Sequence, residues 1–121
     1  MLADRAYWLT YKGKEMLYCD YKSLSDDEII ELIKHIEHLI LNSGKNQILK
    51  VNDVRGLFVS AEVLAEIKRS SKILKPYLKK SAYVGITGAK KFLLEVVNYV
   101  SSGNAKPFVE RDEALDWIAG D

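Results

Sequence analysis

The segment Ser25-Asp26-Asp27-Glu28, followed by apolar residues at Ile29, Leu32, Ile33, Ile36, Leu39 and Ile40, constrains this chain more than any other feature. A serine three residues ahead of a glutamate forms a capping box: the hydroxyl accepts the Glu28 amide, and the carboxylate reaches back to the serine amide. Leu24 and Ile29 stand at the staple positions, and Asp26 and Asp27 suit the positive end of the helix dipole. The apolar residues recur at helical spacing on one face, and Asn42-Ser43-Gly44 supplies the stop. β-prone runs lie on both sides of this helix. Residues 7–11 and 15–21 are separated by Lys12-Gly13-Lys14, where Gly13 provides the positive φ of a tight hairpin turn. Residues 47–53 read as the next strand, so the helix is a crossover.

The pattern then repeats. Leu49 and Val51 alternate with Lys50 and Asn52, which predicts a partly wet second face for that strand. After a loop around Arg55-Gly56, Ser60 caps a second helix with Val63, Leu64, Ile67, Leu74 and Leu78 inward, and Pro76 ends or kinks it near Lys75. Residues 81–86 read as a short buried strand. Thr87-Gly88 turns into a third helix with Phe92, Leu93, Val96, Val97 and Val100 as its stripe, closed by Ser102-Gly103-Asn104. Residues 106–109 form a last strand that Pro107 places at or near an edge. Asp112 caps a final helix burying Ala114, Leu115, Trp117 and Ile118. The order ββαβαβαβα implies an α/β fold: a mixed sheet, hairpin plus parallel strands, with about four packed helices and right-handed crossovers.

Composition narrows the function. A chain of 121 residues, 48% hydrophobic and 29% charged, is one globular domain spanning 1–121 rather than a disordered segment. Eighteen basic residues against seventeen acidic ones give a net charge of +1, so no global field draws it to nucleic acid. Cys19 is the single cysteine, which excludes an intramolecular disulfide and a thiolate zinc cluster. No signal peptide and no membrane-spanning apolar run is read, so a cytoplasmic location is expected.

The C-terminal Phe108-Val109-Glu110-Arg111-Asp112-Glu113-Ala114-Leu115-Asp116-Trp117-Ile118 puts a strand phenylalanine ahead of an alanine and a tryptophan on the last helix. Together with Ala82-Tyr83-Val84-Gly85 before the third helix, it resembles the STAS superfamily. Within that superfamily it is similar to the SpoIIAA-like group, classed with CRAL-TRIO-type lipid-binding domains. The resemblance covers most of the chain and implies a STAS-like regulatory or interaction domain without catalysis. Relatives that hold apolar ligands imply an alternative, a small carrier or sensor of a lipid or other apolar ligand. Anti-sigma-factor antagonists of the superfamily are switched by phosphorylation of a serine at the start of the helix after the middle strand. The matching stretch is Phe58-Val59-Ser60-Ala61-Glu62-Val63. It has the serine, but no acidic residue directly before it and no glycine after it, so the phosphoswitch pattern is not kept.

Ligands of open sheets with parallel strands sit outside the strand carboxyl ends. Three loops should meet there, making Arg55, Ser60, Thr87, Gly88, Lys90 and Lys91 the candidate residues for an anion or a protein partner. Lys90 and Lys91 oppose the dipole of the third helix unless an anion sits at Gly88-Ala89; more simply, both bend outward into solvent. Ser60 is a candidate phosphorylation site and, more simply, an N-cap. Asp53 and Arg55 suit a local ion pair bracing the loop. Glu31, His35 and His38 share one helical face, but it is the solvated one, and no metal or other cofactor is expected. Lys68, Arg69, Lys72, Lys75, Lys79 and Lys80 make a basic stripe along the second helix that also fits a soluble face. Tyr7, Trp8, Tyr11, Tyr18 and Tyr21 crowd the hairpin, as packing under a helix, as the surface of a homodimer or as the wall of an apolar ligand pocket beneath it. No nucleophile, base and orienting group can be assembled, so no enzyme is expected.

Overall fold

A computed structural model describes residues 1–87, 95, 96, 98 and 104–120. A short 3-10 turn, Leu2–Arg5, leads into β1 (Ala6–Tyr11) and β2 (Lys14–Asp20), which pair antiparallel. Lys12 and Gly13 between them both have positive φ, 50° and 79°. That is the backbone a two-residue loop needs to match the strand twist. Helix α1 (Asp26–Leu41) opens on the capping box, with the Glu28 amide donating to Ser25 Oγ at 3.4 Å and the Ser25 amide donating to Glu28 Oε1 at 3.0 Å. Strand β3 (Ile48–Asp53) follows, then α2 (Ala61–Leu74), whose Val63 amide donates to Ser60 Oγ at 3.2 Å.

Pro76 stops α2 where expected, but the chain does not pause. It makes a 3-10 turn, Lys75–Tyr77, and enters β4 (Leu78–Val84) at once. Leu78 is therefore a strand residue and not part of the inner face of α2. Strand β5 (Ala105–Phe108) and helix α3 (Arg111–Ala119) complete the described elements. The third helix expected from the sequence falls largely outside the described residues; of it, Glu95, Val96 and Asn98 are described and are helical.

The five strands form one sheet in the order β1-β2-β3-β4-β5, antiparallel at the hairpin and parallel thereafter. Pro107 lies in β5, an edge strand, where its missing N–H costs least. Successive right-handed crossovers in one direction deliver their helices to the same side. Accordingly α1 and α2 pack together over the face that carries Leu17, Cys19, Ile48 and Tyr83. Helix α3 covers the opposite face, over Met16, Tyr18, Val51, Ala82 and Val84.

Two expectations are corrected. Lys50 and Asn52 do not mark an open solvent face: both are largely buried beneath α1 and α2, the crossover helices that cover that side of the sheet. The last helix is not capped by Asp112. Glu110 is its N-cap residue, without a side-chain hydrogen bond, and Asp112 lies in the first turn with its side chain in solvent.

Candidate functional site

The loops after β3, β4 and β5 leave the sheet at one end. Val54 N donates to Val84 O at 2.9 Å, and Gly85 N donates to Phe108 O at 2.7 Å, tying the three strand ends into a rim. Gly85 has φ +92°, and a Cβ built there would lie 2.6 Å from Arg55 Cγ and 2.9 Å from Arg55 Cα. Only glycine lets the two loops approach so closely.

The centre of the rim is Asp53, whose side chain is 0% exposed. Arg55 donates to it through Nε at 2.9 Å and Nη2 at 2.7 Å, and the Tyr18 hydroxyl donates to Oδ2 at 2.8 Å. Burial pushes the Asp53 carboxyl up, but the Arg55 fork and the Tyr18 hydroxyl outweigh it and hold the group below its ordinary 3.8. Burial, reinforced by the Asp53 carboxylate, lifts the Tyr18 hydroxyl well above its ordinary value. The guanidinium of Arg111, at the start of α3, stacks 5.0 Å over the Tyr18 ring. With four donors aimed at it, the Tyr18 hydroxyl and the Nε, Nη2 and backbone amide of Arg55, Asp53 is a positioning anion rather than a free base. What it positions is Arg55, whose side chain is 40% exposed beside a similarly exposed Arg111.

The segments that follow β3 and β5 also carry exposed apolar side chains. Phe58 in the loop after β3 is 78% exposed, and Val109 directly after β5 is 56% exposed. Of the residues singled out from the sequence, Arg55 contacts Gly85, Thr87 is exposed just beyond it, and Ser60 is half-buried at the N-cap of α2. Gly88, Lys90 and Lys91 lie outside the described residues. Phe58 and Arg111 lie in the loops 53–60 and 110–112 that the sequence places at this rim, and Val109 directly precedes the second of them. Tyr18 lies inside β2 and reaches Asp53 only through the strand pairing, which no local signal shows.

The other candidates lie away from this rim. The basic stripe is divided: Arg69 pairs with Glu37 and Glu66, whereas Lys80 lies in β4, over Trp117 on the α3 side. Of the five hairpin aromatics, Tyr18 and Tyr21 are buried, Trp8 and Tyr11 half-buried, and Tyr7 exposed and stacked on Tyr18 at 5.6 Å. The two faces of the sheet thus absorb most of the surplus. Burial pushes the Cys19 thiol up to about 11, which leaves it protonated at neutral pH. Glu31 and His38 are exposed and His35 half-buried. Among the described residues no three His, Cys, Asp or Glu side chains gather closely enough to hold a metal ion. None of the described helices is long and apolar enough to cross a membrane.

No family model matches the chain, and no curated protein matches it either. Among solved structures, it is similar to an uncharacterised protein of the DUF3478 family from Shewanella loihica PV-4 that has a SpoIIAA-like fold. The TM-score is 0.73 at 16% identity, over 94% of this chain and 92% of the other. The fold is SpoIIAA-like. That agrees with the resemblance carried by Ala82-Tyr83-Val84-Gly85 and the Phe108–Ile118 stretch. At this identity the likeness fixes the SpoIIAA-like architecture, and the site has to be argued from this chain's own side chains.

Proposed function

We infer that this SpoIIAA-like domain is a non-catalytic interaction module that docks a protein partner on the rim at the carboxyl ends of its parallel strands. The observation that carries this reading is the exposure of Phe58, 78%, on the loop that Asp53 and Arg55 brace. A large aromatic held in water by a rigid support, with arginines on the same rim, has the composition of an interface hot spot. Val109 extends the apolar surface, and Arg55 and Arg111 fit carboxylates on the partner. The partner chemistry is therefore an apolar segment flanked by acidic residues. Ser60, at the border of this rim, is a position where a phosphate would gain from the α2 dipole and alter the charge the partner meets.

The test places a photo-reactive benzoylphenylalanine at Phe58 in the native cell, with the same residue at Lys72 on the exposed face of α2 as control. A discrete adduct with another protein from position 58 and not from 72, lost in the Arg55→Ala/Arg111→Ala double variant, is the expected outcome. With the partner in hand, Phe58→Ala should weaken binding by about 30-fold, the effect of a typical hot-spot residue. An adduct of twice the chain mass would instead make the rim a homodimer surface. No position-specific adduct, or one indifferent to the arginines, overturns the reading.

A further inference from the structure

Beneath α1 and α2, on the opposite side of β3 from Asp53, lies a cavity of about 40 Å³ walled by Ile29, Ile33, Ile36 and Ile67 and floored by the sheet. A second, of about 30 Å³, shares Lys50, Ser70, Ser71 and Tyr83 with it. The register Leu17–Lys50–Ser81 and Cys19–Asn52–Tyr83 sets Lys50 and Tyr83 diagonally across β3 and β4 on this face. Lys50 is 8% exposed, and its ammonium has no hydrogen-bond or ion-pair partner among the described residues. The hydroxyls of Tyr21 and Tyr83 and the side chains of Ser70 and Ser71 also make no hydrogen bond there. Yet among the described residues no side-chain nitrogen or oxygen sealed from solvent lacks a partner. These groups therefore open onto the cavity. Burial holds both tyrosine hydroxyls well above their ordinary value, so they are donors at neutral pH.

A buried cation left without a counter-charge is costly, and proteins pair such a group or keep it for a ligand. We propose that the Lys50 cavity is a binding site for a short-chain monocarboxylate, its carboxylate on Lys50, Tyr21 and Tyr83 and its alkyl group against the α1 isoleucines. The surroundings select this class. One lysine balances one negative charge, which disfavours a phosphate dianion. The apolar wall rewards an alkyl group and penalises a fully hydrated inorganic ion. Size limits the ligand: the two pockets, about 40 and 30 Å³, have room for only a few waters, which favours an acid of a few carbons over a long chain. This site borders the rim, since Val54 and Leu57 line it, but it opens on the other face of the sheet from Asp53 and does not depend on the docking reading.

The test titrates the full-length protein with acetate, butyrate and decanoate at constant ionic strength. The readouts are calorimetry and intermolecular NOEs to isoleucine methyls. Saturable butyrate binding with NOEs to the α1 isoleucines is expected. Lys50→Met should weaken it at least 10-fold while the exposed Lys72→Met does not. Because Lys50→Met removes an unpartnered buried charge, its melting temperature should not fall. Were that variant to misfold, Tyr21→Phe/Tyr83→Phe supplies the second reading, with affinity reduced several-fold and the fold retained. Absence of saturable binding and NOEs in the wild type overturns the proposal. So does binding that survives Lys50→Met, that phosphate matches, or that continues to tighten through decanoate.

Discussion

Replacing Asp53 by asparagine tests whether the rim is held by charge. Asparagine keeps the size and one acceptor, so the Tyr18 hydroxyl retains a partner. It loses the second acceptor and sets an amide N–H₂ against the guanidinium of Arg55. Hydrogen bonds to charged groups contribute about 1.5–3 kcal/mol each, and breaking a buried pair costs most when the surviving charge stays buried. Arg55 is 40% exposed and turns to water when released, so the loss sits near one such bond, about 2 kcal/mol. With a urea slope of about 1.5 kcal/mol/M, the unfolding midpoint followed by tryptophan fluorescence should fall by about 1.3 M. The pH dependence gives an independent check. The Asp53 pKa is lowered in the folded state, so its contribution is complete above the unfolded value and is lost as pH falls through the folded one. The gap between wild type and Asp53→Asn should therefore be constant from pH 7 to about 5 and close below the ordinary carboxylate range. A gap under about 0.5 kcal/mol at pH 7, within the scatter of a neutral surface change, refutes the reasoning. So does a gap that widens toward pH 3.

Gly85→Ala should cost about 2–3 kcal/mol, because its φ of +92° and the 2.6 Å approach to Arg55 Cγ leave a methyl group no room. A melting temperature lowered by about 10 °C in calorimetry is the expected outcome, and one within about 2 °C of wild type contradicts the close approach. Lys80 donates to Trp117 O at 3.1 Å and Gly120 O at 3.0 Å while lying over the Trp117 ring, so it closes the C-terminus of α3. Lys80→Met, which keeps the apolar stem, should lose about 1 kcal/mol in urea unfolding. An unchanged midpoint would leave the lysine without a structural role.

The parts of this fold that are legible in the sequence are those whose physics is local. The capping box at Ser25 and Glu28, the Ser60 cap, the Lys12-Gly13 turn and the stop at Pro76 each involve groups within a few residues, and all stand where the pattern puts them. Element order and handedness then leave one sensible sheet, and its edge accepts Pro107. The boundary at Leu78 was harder. Leu74 and Leu78 are spaced like one helical face; Pro76 breaks the helix between them, and the pairing of Leu78 with Ile48 makes it a strand residue. The Lys80 cap of α3 joins residues 37 and 40 positions apart, beyond the reach of any local signal.

The two candidate sites illustrate why alternation misleads where a sheet is covered on both sides. Asp53 and Lys50 belong to the same strand and point to opposite faces, and a polar residue in an alternating run ordinarily marks water. Here neither does. Asp53 is buried because Arg55 and Tyr18 close over it, a pairing half visible in the sequence, since Arg55 is two residues away. Lys50 is buried because α1 and α2, each anchored by its own serine cap, are laid across that face by the crossover rule. The sequence predicts both helices but not that a lysine lies under them. A paired buried charge contributes to the fold, whereas an unpaired one opposes it, and nothing among the described residues offsets the second. The contrast within one six-residue strand, β3, is the physical reason to assign Asp53 to architecture and Lys50 to a ligand.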